Sequence, residues 1–185
     1  FLVEHHVAAV VDATHPFAAT ISANAALACA RTGIPLLRLA RPGWSTHPDA
    51  DAWTWVDDVE GALGVAGGRP VLTTGRQSLE AFLPWADRTV LARVVDPPEL
   101  VLPAAWRLVR SRGPYDLPGE RALLTEHRAD LLVTKDSGGT LTEAKLDAAR
   151  ELGVPVVVVR RPPGPGADVV VTDVERAAAE VRALL

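Results

Sequence analysis

Short, almost uninterrupted apolar runs alternate along this chain with stretches whose apolar residues recur every three to four positions. The first kind of run predicts strands covered on both faces, and the second predicts helices with one buried face. Val7–Val11 is the first such strand, an interior one by its lack of polar alternation. Pro16 suits a helix start, where its missing N–H would be unpaired anyway. Phe17, Ile21, Ala25 and Ala28 then keep helical spacing until Gly33-Ile34-Pro35 ends the helix. Leu36–Leu39 is the next strand, broken by Arg41-Pro42-Gly43-Trp44. Ala52–Val56 alternates as a short strand, and 57–65 reads as a short helix stopped by Gly67-Gly68. Further strands are expected at 70–74, 89–95 and 106–110, with helices from Ser78 and over 119–128. The proline- and glycine-rich 162–166 is a loop, and 174–185 a closing helix.

The most explicit segment is 130–159, DLLVTKDSGGTLTEAKLDAARELGVPVVVV. An apolar run, a glycine-bearing polar loop, a helical pattern, Gly-Val-Pro and a second apolar run make a β-loop-α-β unit. Such a unit requires a right-handed crossover between parallel strands. The alternation of strands and helices therefore predicts an α/β fold with mainly parallel sheets. The Gly67-Gly68-Arg69-Pro70 stretch is the expected domain boundary, dividing the chain into 1–66 and 67–185.

Composition narrows the function. The 185 residues carry a formal charge of −4 with no basic run, which argues against nucleic acid as the partner. No apolar run reaches membrane-spanning length, so a cytoplasmic protein without a membrane anchor is expected. The single cysteine, Cys29, lies in an alanine-rich helical pattern and reads as an inert thiol. There is no methionine, and the chain opens directly on a strand, so a preceding segment is expected upstream of Phe1. The five histidines lack metal-ligand spacing, no serine sits in a nucleophile elbow, and no complete dinucleotide or P-loop fingerprint occurs. No catalytic nucleophile and no metal site is thus assigned, and the pattern sets no oligomeric state.

In an open parallel sheet, ligands bind at the carboxyl ends of the strands, and three loops there carry polar chemistry. Asp12–Phe17 holds a hydroxyl, an imidazole and a helix start. His15 suits a ribose or phosphate contact, or acid–base work near neutral pH, although Thr14 as a simple helix cap with His15 exposed fits as well. Thr73–Gln77 places Arg76 beside Gly75 and a helix start, a fit for carboxylate or phosphate, or an ordinary turn with a surface arginine. Lys135–Thr140 sets one of only two lysines beside Gly138-Gly139, where the backbone can approach an anion closely. Tyr115, the only tyrosine, faces a ligand or packs its loop.

Taken in order, VVDATHPFA (10–18) with Ser22 and Asn24, GIPLLRLARPGW (33–44), LTTGRQ (72–77), RGPY (112–115) and TKDSGGTLTEAKLDAARELGVPVVVVRRP (134–162) resemble the precorrin-6A reductase family of cobalamin (vitamin B12) biosynthesis. The resemblance spans nearly the whole chain. It implies two Rossmann-like domains with a cleft between them and NADPH as cofactor, which reduces one double bond of precorrin-6A to give precorrin-6B. On that likeness Ala13, Thr14, His15, Pro16 and Phe17 meet the cofactor. Arg41, Thr74, Gly75, Arg76, Tyr115, Lys135, Asp136, Ser137, Gly138 and Gly139 meet the carboxylate-fringed tetrapyrrole. The family's opening Gly-Gly-Thr-x-Glu loop is absent from these residues, so the N-terminal part of the first domain is expected to be missing. Two other readings use the same cations: a non-redox enzyme acting on another anionic tetrapyrrole, and a binding module for such a ligand.

Overall fold

Valine- and leucine-rich runs bounded by glycine or proline form the strands of the structure, a computed structural model that describes residues 1–184. In chain order the strands are Val10–Asp12 (β1), Leu36–Leu39 (β2), Thr54–Val56 (β3), Pro70–Thr73 (β4), Leu91–Val94 (β5), Arg107–Arg110 (β6), Leu131–Lys135 (β7), Val156–Val159 (β8) and Val169–Val171 (β9). The α-helices are Ala19–Thr32 (α1), Leu117–His127 (α2), Ala144–Leu152 (α3) and Val174–Leu184 (α4). Helices α1 and α3 both end at a glycine in the left-handed region, Gly33 at φ 69° and Gly153 at φ 65°. A proline two residues on prevents the helix from continuing. No helix among the described residues is long and apolar enough to cross a membrane.

The chain divides into two units, Phe1–Gly43 together with the chain from Arg161 onward, and Trp44–Arg160. The first holds a three-stranded sheet in the order β1-β2-β9, and the second a six-stranded sheet in the order β3-β8-β7-β4-β5-β6. Every strand pairing is parallel. The fold is α/β, as the alternation predicts.

In the six-stranded sheet, successive side chains of β7 go to opposite layers. Leu132 joins Val71, Leu124, Leu146 and Val158. Leu131 and Val133 join Leu72, Phe82, Trp85 and Val157. Helices α2 and α3 thus lie on one face, and the short 3-10 segments Glu60–Gly64 and Glu80–Trp85 on the other. Handedness explains the split: connections running one way along the sheet cover one face, and those running back cover the other. From β4 the chain proceeds to β5 and β6, whereas from β7 it proceeds to β8 on the opposite side. The carboxyl ends of β4 and β7, paired through Thr73 and Thr134, therefore form the topological switch point.

The structure departs from the sequence reading at several places. The boundary expected at Gly67-Gly68 is a turn inside the second unit: both Gly68 and Arg69 donate their backbone N–H to the Asp130 carboxylate, at 2.7 and 2.8 Å. The actual division falls at Gly43 and again at Arg160, because β3 adds to β8 in the second sheet and β9 adds to β2 in the first. Domain membership follows hydrogen-bonded pairing rather than chain order. The helix expected from Ser78 consists of two 3-10 segments, Arg76–Ser78 and Glu80–Trp85, with Pro84 inside the second, where no N–H is available for an α-helical bond. Strand β1 is shorter than expected and alternates, with Val11 44% exposed rather than covered on both faces. Helix α1 starts at Ala19, three residues after Pro16. The closing helix is described to Leu184, and the final residue of its expected span, Leu185, lies outside the described residues.

Candidate functional site

In the first unit, the loop after β1 is organised by Asp12. This carboxylate is buried and accepts the Thr14 backbone N–H at 3.1 Å, while the Thr14 hydroxyl meets the Ser22 hydroxyl of α1 at 2.9 Å. Burial pushes the Asp12 carboxyl up, but hydrogen bonds from Ser22 and Thr14 and the nearby Arg38 charge together hold it below its ordinary value of 3.8. His15 bends back so that its Nδ1 accepts the Phe17 N–H at 3.2 Å, with the two rings 5.8 Å apart. Thr14 is thus the partner of Ser22 rather than a simple helix cap, since α1 begins later with no side-chain cap bond. Ala13, Thr14 and His15 are exposed, and Pro16 and Phe17 half-buried.

Arg41 belongs to the same unit. Its backbone carbonyl accepts from Arg161 Nη1 at 2.7 Å, and the Pro42 carbonyl accepts from Nη2 at 3.1 Å. A cavity of about 340 Å³ lies at the carboxyl ends of β1 and β2, bordered by Ala13, Thr14, Pro16, Arg38, Arg41 and Arg161 among others.

In the second unit, the Thr74–Arg76 and Lys135–Gly139 loops leave the two strands of the switch point. Thr74 is buried, and its hydroxyl is without a hydrogen-bond partner. Gly75 at φ 83°, Gly138 at φ 64° and Gly139 at φ 69° occupy backbone conformations that favour glycine. Neither loop is followed directly by an α-helix. A 3-10 turn, Thr140–Thr142, separates Gly139 from α3, so no α-helix N-terminus opens directly onto this loop.

The Lys135 loop is held by two residues that sequence reasoning gave no role. Trp44 is buried; its backbone N–H donates to Asp136 Oδ1 at 2.9 Å and its indole N–H to the Gly139 carbonyl at 3.3 Å. The buried Lys145 ammonium lies 4.8 Å from the centre of the Trp44 ring and donates to the Thr142 carbonyl. Asp136 is buried as well, and its own N–H donates to Val159 at the end of β8. Burial alone lowers the Lys135 ammonium from its ordinary value of 10.5. Asp136→Ala leaves the buried Trp44 N–H unpaired, so a stability loss of about 1–3 kcal/mol is expected in chemical denaturation. A value indistinguishable from zero would show that Asp136 does not anchor the loop.

The other expected residues are dispersed. Arg76 is exposed and donates from Nη1 to the Pro97 carbonyl at 3.4 Å, turned toward the loop after β5. The Tyr115 hydroxyl donates to the Ser111 carbonyl at 2.9 Å, and its ring lies 4.0 Å from the Arg93 guanidinium. That guanidinium is ion-paired with Glu120 of α2, with only 8% and 2% of the two side chains exposed. A second cavity, of about 360 Å³, sits over this pair and is bordered by Ser111, Tyr115 and Asp116. Trp44 and Lys145 lie inside the family segments 33–44 and 134–162 but received no role there, and Arg93 and Glu120 lie outside those segments, marked only as charges in otherwise apolar or amphipathic stretches. Among the described residues no group of three acidic, histidine or cysteine side chains could hold a metal.

Residues 1–182 match the family described as Precorrin-6x reductase CbiJ/CobK. The precorrin-6A reductase of Rhodococcus erythropolis is 49% identical over 183 residues, covering 97% of this chain and 73% of that protein. The precorrin-6A reductase of Mycobacterium tuberculosis (strain ATCC 25618 / H37Rv) is 48% identical over 188 residues, covering 100% and 75%. A solved structure, CobK precorrin-6A reductase, aligns with a TM-score of 0.89 at 38% identity, over 99% of this chain and 76% of that one.

Proposed function

The chain belongs to the Precorrin-6x reductase CbiJ/CobK family, and from that premise we propose that it reduces one double bond of precorrin-6A to give precorrin-6B, with NADPH as the nicotinamide cofactor. The activity is an oxidoreductase step on a CH–CH bond in cobalamin biosynthesis, acting on a small molecule, and we place it in the cytoplasm. The observation that carries the assignment of residues is the polar loop at each strand end: Asp12–Phe17 in the first unit, and Lys135–Gly139 at the switch point of the second.

The first loop fits a nicotinamide nucleoside. It offers an exposed Thr14 and His15 for polar contacts, and the half-buried Pro16 and Phe17 as apolar surface. When bound, the nicotinamide supplies the hydride. Ala13 to Phe17 hold and orient it, with Asp12 fixing the loop through the Thr14 N–H. In the second unit Lys135 and Arg76 attract carboxylates of the macrocycle, and Gly75, Gly138 and Gly139 admit it close to the backbone. Thr74, with its unpartnered hydroxyl, and Ser137 add donors. Tyr115 shapes the neighbouring surface, and Asp136 keeps the Lys135 loop in place through Trp44.

The test is loss of the near-ultraviolet absorbance of the reduced nicotinamide on addition of precorrin-6A, with NADPH and NADH compared. Lys135→Ala and Arg76→Ala are expected to weaken use of the tetrapyrrole roughly tenfold to a hundredfold, as loss of a charge-assisted contact does, with cofactor affinity unchanged. His15→Ala is expected to raise the cofactor KM without moving the melting temperature. A parent chain that binds the tetrapyrrole yet never consumes reduced nicotinamide would instead be a non-redox enzyme or a binding module.

A further inference from the structure

The cavity of the first unit collects three arginines, Arg38 from β2, Arg41 just beyond it and Arg161 from the segment after β8, and no acidic side chain borders it. Arg161 is oriented by the carbonyls of Arg41 and Pro42. Arg38 lies against backbone at Gly164, where a Cβ would stand 2.1 Å from its Nη1. That Nη1 is buried and has no hydrogen-bond acceptor. Leaving a charged donor buried and unpaired is unfavourable, a cost that a bound oxyanion would remove. The acid whose charge acts on Arg38, Asp12, has its Oδ1 engaged by the Thr14 N–H, while its Oδ2 is buried without a hydrogen-bond partner.

Two kinds of oxyanion are available to a reductase of this class, a phosphate of the dinucleotide and a carboxylate of the macrocycle. Guanidinium groups match phosphate and carboxylate alike, and phosphate cradles commonly add free backbone N–H groups of a glycine-rich loop. Here the Asp12–Phe17 loop has no glycine, and its Thr14 N–H is committed to Asp12. What remains is a set of guanidinium groups, which match a carboxylate in paired hydrogen bonds, with Leu39, Pro162, Pro165 and Val170 as apolar walls. A carboxylate on a short methylene arm needs that combination of an apolar wall and a cationic end.

Resting on the functional reading above, we infer that Arg38, Arg41 and Arg161 form a subsite for one acetate- or propionate-type arm of the tetrapyrrole, and that this subsite selects among macrocycles by the placement of their carboxylates. The test compares Arg38→Gln, Arg38→Lys and Arg161→Gln with the parent chain, measuring affinities for precorrin-6A and NADPH separately by equilibrium binding alongside melting curves. Arg38→Gln and Arg161→Gln are expected to weaken precorrin-6A binding about tenfold and leave NADPH binding unchanged, with Arg38→Lys, which keeps charge but loses the fork, falling between. A loss of NADPH affinity instead would make the cavity a phosphate site and overturn the inference. Unchanged affinity for both ligands in folded variants would overturn it equally. In either case normal turnover by the parent chain would keep the reductase reading intact, whereas a parent that does not turn over would remove both.

Discussion

Glu120→Leu is expected to destabilise the folded chain by about 3–5 kcal/mol, the range for breaking a buried ion pair by removing one partner. Arg93 comes from the penultimate position of β5 and Glu120 from the first turn of α2, and both side chains are almost wholly out of water. Without Glu120, the Arg93 guanidinium keeps only the Tyr115 ring, and the buried Lys145 loses the one charge that favours its ammonium. The double variant Arg93→Met/Glu120→Leu should recover most of the loss, because a well-packed apolar pair of similar volume costs little in place of a buried ion pair. A double-mutant cycle in urea measures both effects. Single and double variants with equal losses would show that packing, not charge, holds α2 to the sheet at this point. Because Tyr115 and the cavity beside it rest on the same pair, the cycle also reports how firmly that surface is built.

Lys145 should make the stability of the parent chain depend on pH, and Lys145→Met should remove that dependence. Burial, reinforced by the Arg93 charge and opposed by Glu120, lowers the Lys145 ammonium from 10.5 to about 7. Between those values the unfolded chain holds a proton that the folded chain has released. Raising the pH therefore favours the folded state, by up to about 1.4 kcal/mol per pH unit. Below about pH 7 both states are protonated, the full cost of the buried charge is present, and the slope vanishes. The stability difference between parent and Lys145→Met should consequently shift in favour of the parent by about 2 kcal/mol from pH 7 to pH 9. Denaturant melts at several pH values decide this, and parallel profiles for the two proteins would sink it. The same titration bears on the site, since the ammonium lies over Trp44, whose N–H groups hold Asp136 and Gly139.

The residues that the sequence marked as chemical were legible for reasons that differ, and in space Arg76 and Tyr115 turn away from the loops that carry the rest. Gly138-Gly139 and Gly75 were legible because a positive φ at a strand end leaves glycine as the favoured residue. The Lys135 and Arg76 loops were legible because a β-loop-α-β pattern puts its polar loop at the carboxyl end of a strand. Their placement on adjacent strands β4 and β7 was not, since a crossover names its own two strands and says nothing of their neighbours. Nor was the direction of Arg76, whose long side chain reaches the Pro97 carbonyl of another connection.

By itself, then, the sequence determined the class of fold and most of the elements, though not β9, where no strand is expected, nor the 3-10 form of the helices expected over 57–65 and from Ser78. Apolar runs of strand length, helical spacing and Gly-x-Pro stops are local, and the physics that reads them is local too: backbone sterics, helix termination and the need to bury a continuous apolar strand. Only the tertiary structure decided which strand joined which sheet. The Gly67-Gly68 turn resembles a linker in sequence, yet β3 before it and β4 after it share one sheet, while β9 returns to the other. Backbone hydrogen bonding between strands is indifferent to side-chain pattern, so membership is set by the global packing of helices on the faces. For the same reason the supports of the site, Trp44, Lys145, Arg93 and Glu120, left no mark in the pattern. Each gains its role from partners far away in the chain, and a buried charge is recognisable only once its burial is known.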